Sequence, residues 1–428
     1  MKFPVIFLMC ALSAFAEVKT MTLRQALELA LAQSPDVMLS RLDQQKARNQ
    51  VIIARDPFRP KVFGGSGAAW TSGFPASIDG NAPSIFQART QMALFDRPQN
   101  YQIAQANENL RGAGIEVTKQ QDEIAYRVAS LFLDAEQAAR SLAAAEREGE
   151  NLTRVQGLVD TRVTEGRELP IELKKANLAV LKNKQQVDTV ASDLIAAETS
   201  LAMALGLSPD DRVRAAQEDR AALTLPASEE QAIEESLDGN EELKRLESNI
   251  QAKTLEIKGY HAMRLPKVNL IAQYELFLKY YYQDYYTNFH NNSVQLGASI
   301  DVPLVVGRSA QAYSAQAEAD VAKLRIEIDR TRTRITADLR RAFQEVKRAD
   351  SAREVARLDL DVTRDQLSLD LAQMDEGRVP LAKVEESRAV ENEKWVAYYA
   401  AQHSSELARI SVLRQMGTLK ETLTAALK

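Results

Sequence analysis

Apolar and polar residues alternate over two stretches in the second half of the chain, 267–280 and 293–304. One face of the first stretch carries Leu270, Ala272, Tyr274, Leu276, Leu278 and Tyr280. One face of the second carries Val294, Leu296, Ala298, Ile300, Val302 and Leu304. A period of two is typical of a strand whose faces meet different surroundings. Weaker alternation over 61–71 and 84–95 predicts a second pair, so we expect four strands in two pairs.

Spacings of three and four follow each pair of predicted strands. The two series are Ile103, Asn107, Leu110, Gly114, Val117, Gln121, Ile124, Val128, Leu131 and Ala135, and Ile335, Leu339, Ala342, Val346 and Ala349. Two polar residues and a glycine, Asn107, Gln121 and Gly114, interrupt the early part of the first series. This pattern predicts long helices over about 98–164 and 308–375, with return helices over 170–205 and 380–416. At about 1.5 Å per residue, each long helix would reach roughly 100 Å. Such a helix exceeds a globular core and needs neighbours along its whole length.

The chain also repeats itself. Pro60-Lys61 aligns with Pro266-Lys267 at a shift of 206, and Glu165-Gly166-Arg167 with Glu376-Gly377-Arg378 at a shift of 211. We therefore predict a first repeat over 17–206, a connector over 207–228 and a second repeat over 229–428. Each repeat opens with short helices, predicted over 22–33 and 35–55 and over 229–237 and 241–263. The connector contains Ser-Pro-Asp-Asp and Leu-Pro-Ala-Ser, so we expect it to be irregular.

The first sixteen residues have the composition of a secretory signal peptide. Lys2 precedes an apolar stretch, and Ala14-Phe15-Ala16 forms a small-x-small cleavage site. Cleavage there removes Cys10, the only cysteine, and leaves a chain without disulfides or thiol chemistry. The alternative is a lipoprotein, in which Cys10 would be the anchored first residue. Either processing predicts an exported protein.

Charge and hydropathy narrow the class further. The formal net charge is −5, without the basic stripe of a nucleic-acid-binding protein. No later stretch has about 18 consecutive apolar residues, so only strands could cross a membrane. Four strands are too few, because the smallest membrane barrels have about eight. Several copies must then share one barrel of eight, twelve or sixteen strands. With duplicated halves, a trimer would have twelve strands and near-sixfold symmetry.

Small residues along the helical seams point the same way. Alanine recurs where a two-stranded coiled coil prefers leucine or isoleucine, which suits a wider cylinder. The predicted fold class is an α+β membrane protein, mostly α and internally duplicated. Its long antiparallel hairpins would form an α-helical barrel, and its four strands would join a membrane β-barrel shared by several copies. Such a tube on a membrane barrel is a conduit.

These features resemble the TolC-like outer-membrane efflux protein family. The resemblance runs from the Thr-Leu-x-x-Ala-Leu-x-x-Ala-Leu opening at Thr22 to Gly417, and includes both strand pairs and both glycine-centred turns. It implies a homotrimer in outer-membrane lipid, with a twelve-strand barrel and a twelve-helix periplasmic tunnel. It also implies docking to a periplasmic adaptor and an inner-membrane pump. The cargo in this family is a drug, a metal or a protein.

The resemblance also implies functional residues. The adaptor-contact turns would be Glu165, Gly166, Arg167, Glu376, Gly377 and Arg378. They depart from the family's Val-Gly-Leu and Val-Gly-Thr turns, and both glycines would be explained equally well as helix ends. The periplasmic gate would consist of Glu172, Lys383 and Glu386, with Lys383 pairing with Glu386 or Glu172. The alternative for these three is an ordinary solvated helix face.

Aromatic residues cluster at the end of the third predicted strand. They are Phe277, Tyr280, Tyr281, Tyr282, Tyr285 and Tyr286, and we predict an interfacial girdle rather than a stacking platform. The three histidines lack ligand spacing, and no nucleophile or phosphate loop accompanies the acidic residues. We therefore expect no metal, no cofactor and no enzymatic activity. Two alternatives to the duct stay open: a periplasmic adaptor and a soluble structural coiled coil.

Overall fold

The computed structural model describes residues 18–67, 84–208, 210–216, 223–277, 292–304, 307–376 and 378–426 of the chain. Its helices are α1 Leu23–Gln33, α2 Pro35–Arg55, α3 Arg97–Thr164, α4 Pro170–Ala204, α5 Glu229–Gly239, α6 Glu241–Ala262, α7 Arg308–Asp375, α8 Leu381–Met416 and α9 Leu419–Ala426. Its strands are β1 Val18–Met21, β2 Lys61–Gly67, β3 Ser84–Phe95, β4 Arg212–Ala215, β5 Lys267–Phe277 and β6 Asn292–Asp301. None of the helices described is long and apolar enough to cross a membrane.

The mostly helical fold predicted from the sequence is confirmed. The duplication is visible in the lengths of its helices. Helices α1 and α5 have 11 residues each and begin 229 − 23 = 206 positions apart. Helices α3 and α7 have 68 residues each and begin 308 − 97 = 211 positions apart. The additional residues of the second repeat therefore lie between its short helices and its long helix.

Glycines end the helices in the same way in both repeats. Gly206 after α4 has φ of 79°, and Gly417 after α8 has φ of 73°. Each N–H donates to a helical carbonyl three positions back, and the next N–H donates five positions back. These two hydrogen bonds together define a Schellman cap, whose left-handed backbone favours glycine. The two glycines are 417 − 206 = 211 positions apart, so the cap was duplicated with the helices.

The chain divides into two compact units, and the first comprises 18–39, 118–241 and 332–426 of the described residues. Its apolar core joins α1, α3, α4, α8 and α9. A parallel pair, β1 and β4, lies beside it with Val18 opposite Arg212. The prediction of an irregular connector is wrong at β4. Burial of Val213 and Ala215 fixes that strand, and Arg214 binds the buried Glu198 of α4 at 3.0 Å.

Side-chain contacts give the order of the long helices in this unit. Between α4 and α3, Asn183 donates to the carbonyl of Ala145 at 3.0 Å. Between α3 and α8, Asp134 contacts His403 at 2.8 Å. Between α8 and α7, Arg409 binds Asp350 at 2.7 Å. The order is therefore α4–α3–α8–α7, and within one chain α4 and α7 are the outer helices of this layer.

The second unit comprises 40–67, 84–117, 242–277, 292–304 and 307–331 of the described residues. It contains an antiparallel sheet in the order β2–β3–β5–β6, in which β3 and β5 join the two repeats. One face carries Val62, Phe86, Ala88, Met92, Val268, Leu270, Ala272, Tyr274, Leu276, Val294, Leu296, Ala298 and Ile300. The other carries Gln87, Arg89, Gln91, Asn269, Gln273, Glu275, Gln295, Ser299 and Asp301, with Phe63, Ala93 and Ile271 as apolar exceptions. The alternation predicted from the sequence thus produces one apolar and one polar face.

Candidate functional site at the helical turns

The first hairpin turn, Glu165-Gly166-Arg167, directly follows α3. Gly166 has φ of 71°, in the left-handed region that disfavours a side chain. Its N–H donates to the carbonyl of Val163 at 3.0 Å, and that of Arg167 donates to Arg162 at 2.8 Å. This is again a Schellman cap. Among the described residues other than its two neighbours, no atom lies within 4 Å of the position a Cβ would occupy, so the backbone angle alone favours glycine here.

The second turn follows α7 and has the same pattern of hydrogen bonds where it is described. The N–H of Arg378 donates to the carbonyl of Gln373 at 2.9 Å, a bond that spans five positions as in the first turn. Gly377 itself lies outside the described residues. The N–H of Glu376 donates to Ala372 at 3.3 Å, which completes the last helical bond of α7. The two turns therefore share the hydrogen bond that spans five positions.

Each turn also carries an ion pair across its glycine. Arg167 lies 3.3 Å from Glu165, and Arg378 lies 3.1 Å from Glu376. Both arginines are 75% exposed, so the pairs contribute little to stability. The structure thus brings each Glu-Gly-Arg motif together as one cation and one carboxylate on a tight, solvent-facing turn. That arrangement is suited to polar recognition of a partner.

The predicted gate residues lie on the two return helices. On α8, Lys383 Nζ lies 2.9 Å from Glu386 Oε2, and the hydrogen bond raises the pKa of Lys383. On α4, Glu172 binds Lys175 at 2.8 Å. Of the two partners considered for Lys383, the structure selects Glu386. All four side chains are exposed, so each pair is open to exchange with a partner molecule.

A buried carboxylate near the second turn escaped the sequence analysis. Asp370, near the end of α7, accepts hydrogen bonds from Ser387 Oγ of α8 at 2.5 Å and from Gln366 at 2.8 Å. These hydrogen bonds lower the pKa of Asp370. The contact fastens α7 to α8 just before the turn. No local sequence pattern predicts this contact, because Asp370 and Ser387 come together only when the hairpin folds.

Two acidic residues lie close together where α3 meets α8, and the sequence pattern did not predict this pair. Burial raises the pKa of Glu148, and the nearby carboxylate of Glu385 raises it further. Burial also raises the pKa of Glu385, opposed by Arg388 and Arg154. One carboxylate oxygen of Glu148 is buried and accepts no hydrogen bond within the described part of the chain. The two repeats thus meet here through carboxylates that repel one another when both are ionised.

The predicted aromatic girdle falls almost wholly outside the described residues. Phe277 is the last residue of β5, while 280–286 lie beyond it, in the segment 278–291 that is not described. The girdle therefore stays a prediction.

Comparison with known proteins supports the fold predicted from the sequence. Residues 26–207, which cover most of the first repeat, match the sequence profile of the family described as outer membrane efflux protein. No curated protein sequence matches the chain significantly.

Three solved structures share the fold over most of their length. The outer membrane protein VceC of Vibrio cholerae has 14% identity and a TM-score of 0.70, covering 92% of this chain and 96% of that one. The outer membrane channel CmeC of Campylobacter jejuni has 12% identity and a TM-score of 0.72, covering 95% and 89%. The outer membrane channel MtrE of Neisseria gonorrhoeae has 14% identity and a TM-score of 0.67, covering 95% of this chain and 89% of that one. The chain therefore shares the fold of these outer membrane proteins, and its residues 26–207 match the outer membrane efflux protein family.

Proposed function

We propose that three copies of this chain form the outer-membrane exit duct of a tripartite efflux or secretion system. The observation that carries the proposal is the four-stranded sheet, with one apolar face and one polar face. Among the described residues, its outer strands β2 and β6 each pair on one side only. Because lipid leaves no water for unpaired backbone groups, β6 must meet β2 of another copy. Contacts of this head-to-tail kind close into a ring, here a 12-stranded barrel.

The helices of the first unit support the same assembly. The outer helices α4 and α7 each carry exposed apolar residues at heptad spacing. They are Ile171, Leu178 and Leu181 on α4, and Val355, Leu358, Val362 and Leu369 on α7. Stripes of this kind favour a coiled-coil contact with another helix. Pairing α7 of one copy with α4 of the next gives a closed periplasmic tunnel and a homotrimer.

Conductance across planar lipid bilayers tests the duct directly. The purified chain should insert and give discrete conductance steps. Leu296→Lys should abolish insertion, because a charge on the lipid-facing side of a barrel costs about 2–4 kcal/mol. The matched control is Gln295→Lys, one position away on the polar face, which should insert normally and change only ion selectivity.

Two results would contradict this proposal. One is a mature chain that stays in solution without detergent; the other is equal insertion of both lysine variants. The first result would favour a soluble coiled-coil protein. A periplasmic adaptor is disfavoured because such proteins carry one helical hairpin, whereas this chain has two, α3–α4 and α7–α8.

The two Glu-Gly-Arg turns are proposed to contact a periplasmic adaptor, which would couple the duct to an inner-membrane pump. Their exposed ion pairs can be replaced by pairs with a partner at little cost. A photo-crosslinker at Glu165 or Glu376 should capture an adaptor in cells, identified by mass spectrometry. The same crosslinker at Asp188, midway along α4, should not. Capture from Asp188 alone would move the contact away from the turns.

The gate is proposed to involve Glu172, Lys383 and Glu386. In a trimer, three copies of the Lys383–Glu386 pair on α8 would surround the entrance of the tunnel. Replacing Glu386 with alanine frees Lys383 and should lower the preference for cations in planar bilayers. If neither conductance nor ion preference changes, Glu386 does not form the constriction.

A further inference from the structure

A cleft of about 430 Å³ lies in the second unit, between the end of α6 and the first turns of α7. It is lined by Tyr260, His261, Arg264, Ala310, Gln311, Ser314, Ala315 and Glu318. Arg264 precedes the first residue of β5, Lys267, by three positions. The cleft therefore lies at the end of the sheet from which the helices continue. Its volume is in the range of small-molecule sites.

The polar groups of the cleft are ordered by a buried hydroxyl. Ser314 donates to Glu318 Oε1 at 3.1 Å, and its oxygen lies 2.9 Å from His261 Nε2. Because the hydroxyl proton is directed to Glu318, the Ser314 oxygen accepts from Nε2–H. This leaves Nδ1 of His261 for a ligand. Arg264 is exposed and has no ionic partner among the residues that the structure describes.

Aromatic rings border the same cleft. Tyr260 stacks on Tyr313 with ring centroids 5.5 Å apart, and its hydroxyl donates to Glu256 at 2.9 Å. Tyrosine rings of this kind, apolar in body and polar at the tip, are enriched where a membrane meets water. Val268, four positions beyond Arg264 in the sequence, lies on the apolar face of the sheet opposite Ile300. A cationic and aromatic cleft thus adjoins an apolar surface.

At the equivalent place the first repeat keeps one cation and lacks the other, because at a shift of 206 Arg55 corresponds to His261 and Phe58 to Arg264. The seam between α2 and α3 is apolar and closed by Val51, Ala54 and Ala106, with Ile103 and Leu110 packed against them. At a shift of 206, Ala54 corresponds to Tyr260, and at a shift of 211, Ile103 corresponds to Ser314. The fold alone therefore does not require a polar cleft. The residues of the second repeat create it.

We propose that this cleft binds the phosphate of an anionic phospholipid headgroup in the periplasm-facing leaflet of the outer membrane. The position of that leaflet rests on the proposed function. Arg264 would donate charge-assisted hydrogen bonds to the phosphate, and Nδ1 of His261 would add a further bond when protonated. The acyl chains would lie along the apolar face that begins at Val268. Glu318 also lines the cleft, and the hydrogen bond from Ser314 fixes the orientation of its carboxylate without removing its charge.

Binding can be measured on the full-length protein in detergent, titrated with dioctanoyl phosphatidylglycerol and followed by native mass spectrometry. Arg264→Gln should weaken binding about tenfold, as expected for the loss of one charge-assisted contact. The matched control is Arg59→Gln, which removes an exposed arginine just before β2, at the same boundary in the first repeat. It should leave the affinity unchanged. Dioctanoyl phosphatidylcholine and inorganic phosphate should both bind more weakly.

An equal loss of affinity in the two variants would show that the lipid responds to the overall charge near the membrane surface, and it would contradict a specific site in this cleft. If inorganic phosphate binds as tightly as phosphatidylglycerol, the ligand of the cleft is free phosphate and not a lipid headgroup. Conductance of the same preparation separates the two proposals. A conducting protein without the Arg264-dependent affinity removes the lipid site alone, whereas a protein that never inserts removes the duct as well.

Discussion

Helices α3 and α7 are the same element of the two repeats, and they are packed differently. Both bury a first seam, at matching positions 211 residues apart. On α3 it consists of Ile124, Val128, Phe132 and Ala135, and on α7 of Ile335, Leu339, Phe343 and Val346. Each seam is continuous, which explains how both helices keep their length of 68 residues. To this extent the duplication preserved packing as well as backbone.

The second seam distinguishes the two helices. On α3, Ala125, Ala129, Leu133 and Glu136 are buried. Their counterparts on α7 are Thr336, Arg340, Gln344 and Lys347, and these are largely open to solvent. Among the described residues, α3 lies between α4 and α8 within one chain, whereas α7 contacts α8 and, through Arg340, only Glu229 of α5 on its other side. A single copy therefore leaves a free face on α7 beyond Arg340, where Val355, Leu358 and Val362 are exposed.

Breaking that free face should have the largest effect. The lower part of the second seam on α7 turns apolar at Val355, Leu358, Val362 and Leu369. Val362→Glu would place an unpaired charge in the proposed contact between copies and should convert trimers to monomers. Size-exclusion chromatography with light scattering in detergent measures this. Ser368→Glu, on a different face of the same helix, should leave the trimer intact. Trimers that survive Val362→Glu would place the contact elsewhere.

The first seam can be tested by a pair of phenylalanines. Phe132 is 0% exposed and its counterpart Phe343 is 8% exposed. Phe132→Ala should lower stability by about 3–5 kcal/mol, because it leaves a cavity in a core closed on all sides. Phe343→Ala should cost less, since the cavity opens towards the free face. Thermal unfolding followed by circular dichroism compares them. Equal losses would show that α7 is as enclosed as α3 once the copies assemble.

The end of α3 offers a smaller contrast between two glycines. Gly166→Ala forces a side chain into a left-handed backbone and should destabilise by about 1 kcal/mol. Gly157→Ala lies inside the helix with open space around it, and it should stabilise by about 0.5–1 kcal/mol. Both changes add one methyl group, so opposite signs in thermal unfolding isolate the backbone angle. The same sign for both would mean that the turn relaxes.

Local signals explain what could be predicted from the sequence. Heptad spacing, the prolines and the glycine turns are short-range features, so the long helices and the Glu-Gly-Arg turns could be recognised. Strand β4 could not, because its four residues form a strand only opposite β1, which precedes it by almost two hundred positions. The same holds for Asp370 with Ser387 and Glu148 with Glu385. Whether these residues meet depends on which helices become neighbours, and helical periodicity does not determine which helices pack together.

Asp122 of the first repeat contacts the C-terminal helix α9, and its counterpart in the second repeat is Thr333. The backbone of Lys420 hydrogen-bonds to this carboxylate, and Leu419 and Leu423 anchor α9 in the core. Burial is the main cause that raises the pKa of Asp122, from 3.8 to about 6. The negative charges of Glu241 and Glu421 add to the rise, and the positive charge of Lys420 opposes it.

The sign of the pH dependence follows from that shift. Between pH 3.8 and about 6 the unfolded chain loses this proton before the folded chain does, so stability falls as pH rises through this window. Asp122→Asn removes the ionisable group and should raise stability at pH 7.5 by about 1 kcal/mol, allowing for solvent screening. At pH 4 the gain should vanish, because aspartate is then protonated in the folded state. Thermal unfolding at both pH values, with the exposed Asp361→Asn as control, measures the difference. A gain that is the same at both pH values would assign the effect to packing of the amide and not to the charge of Asp122.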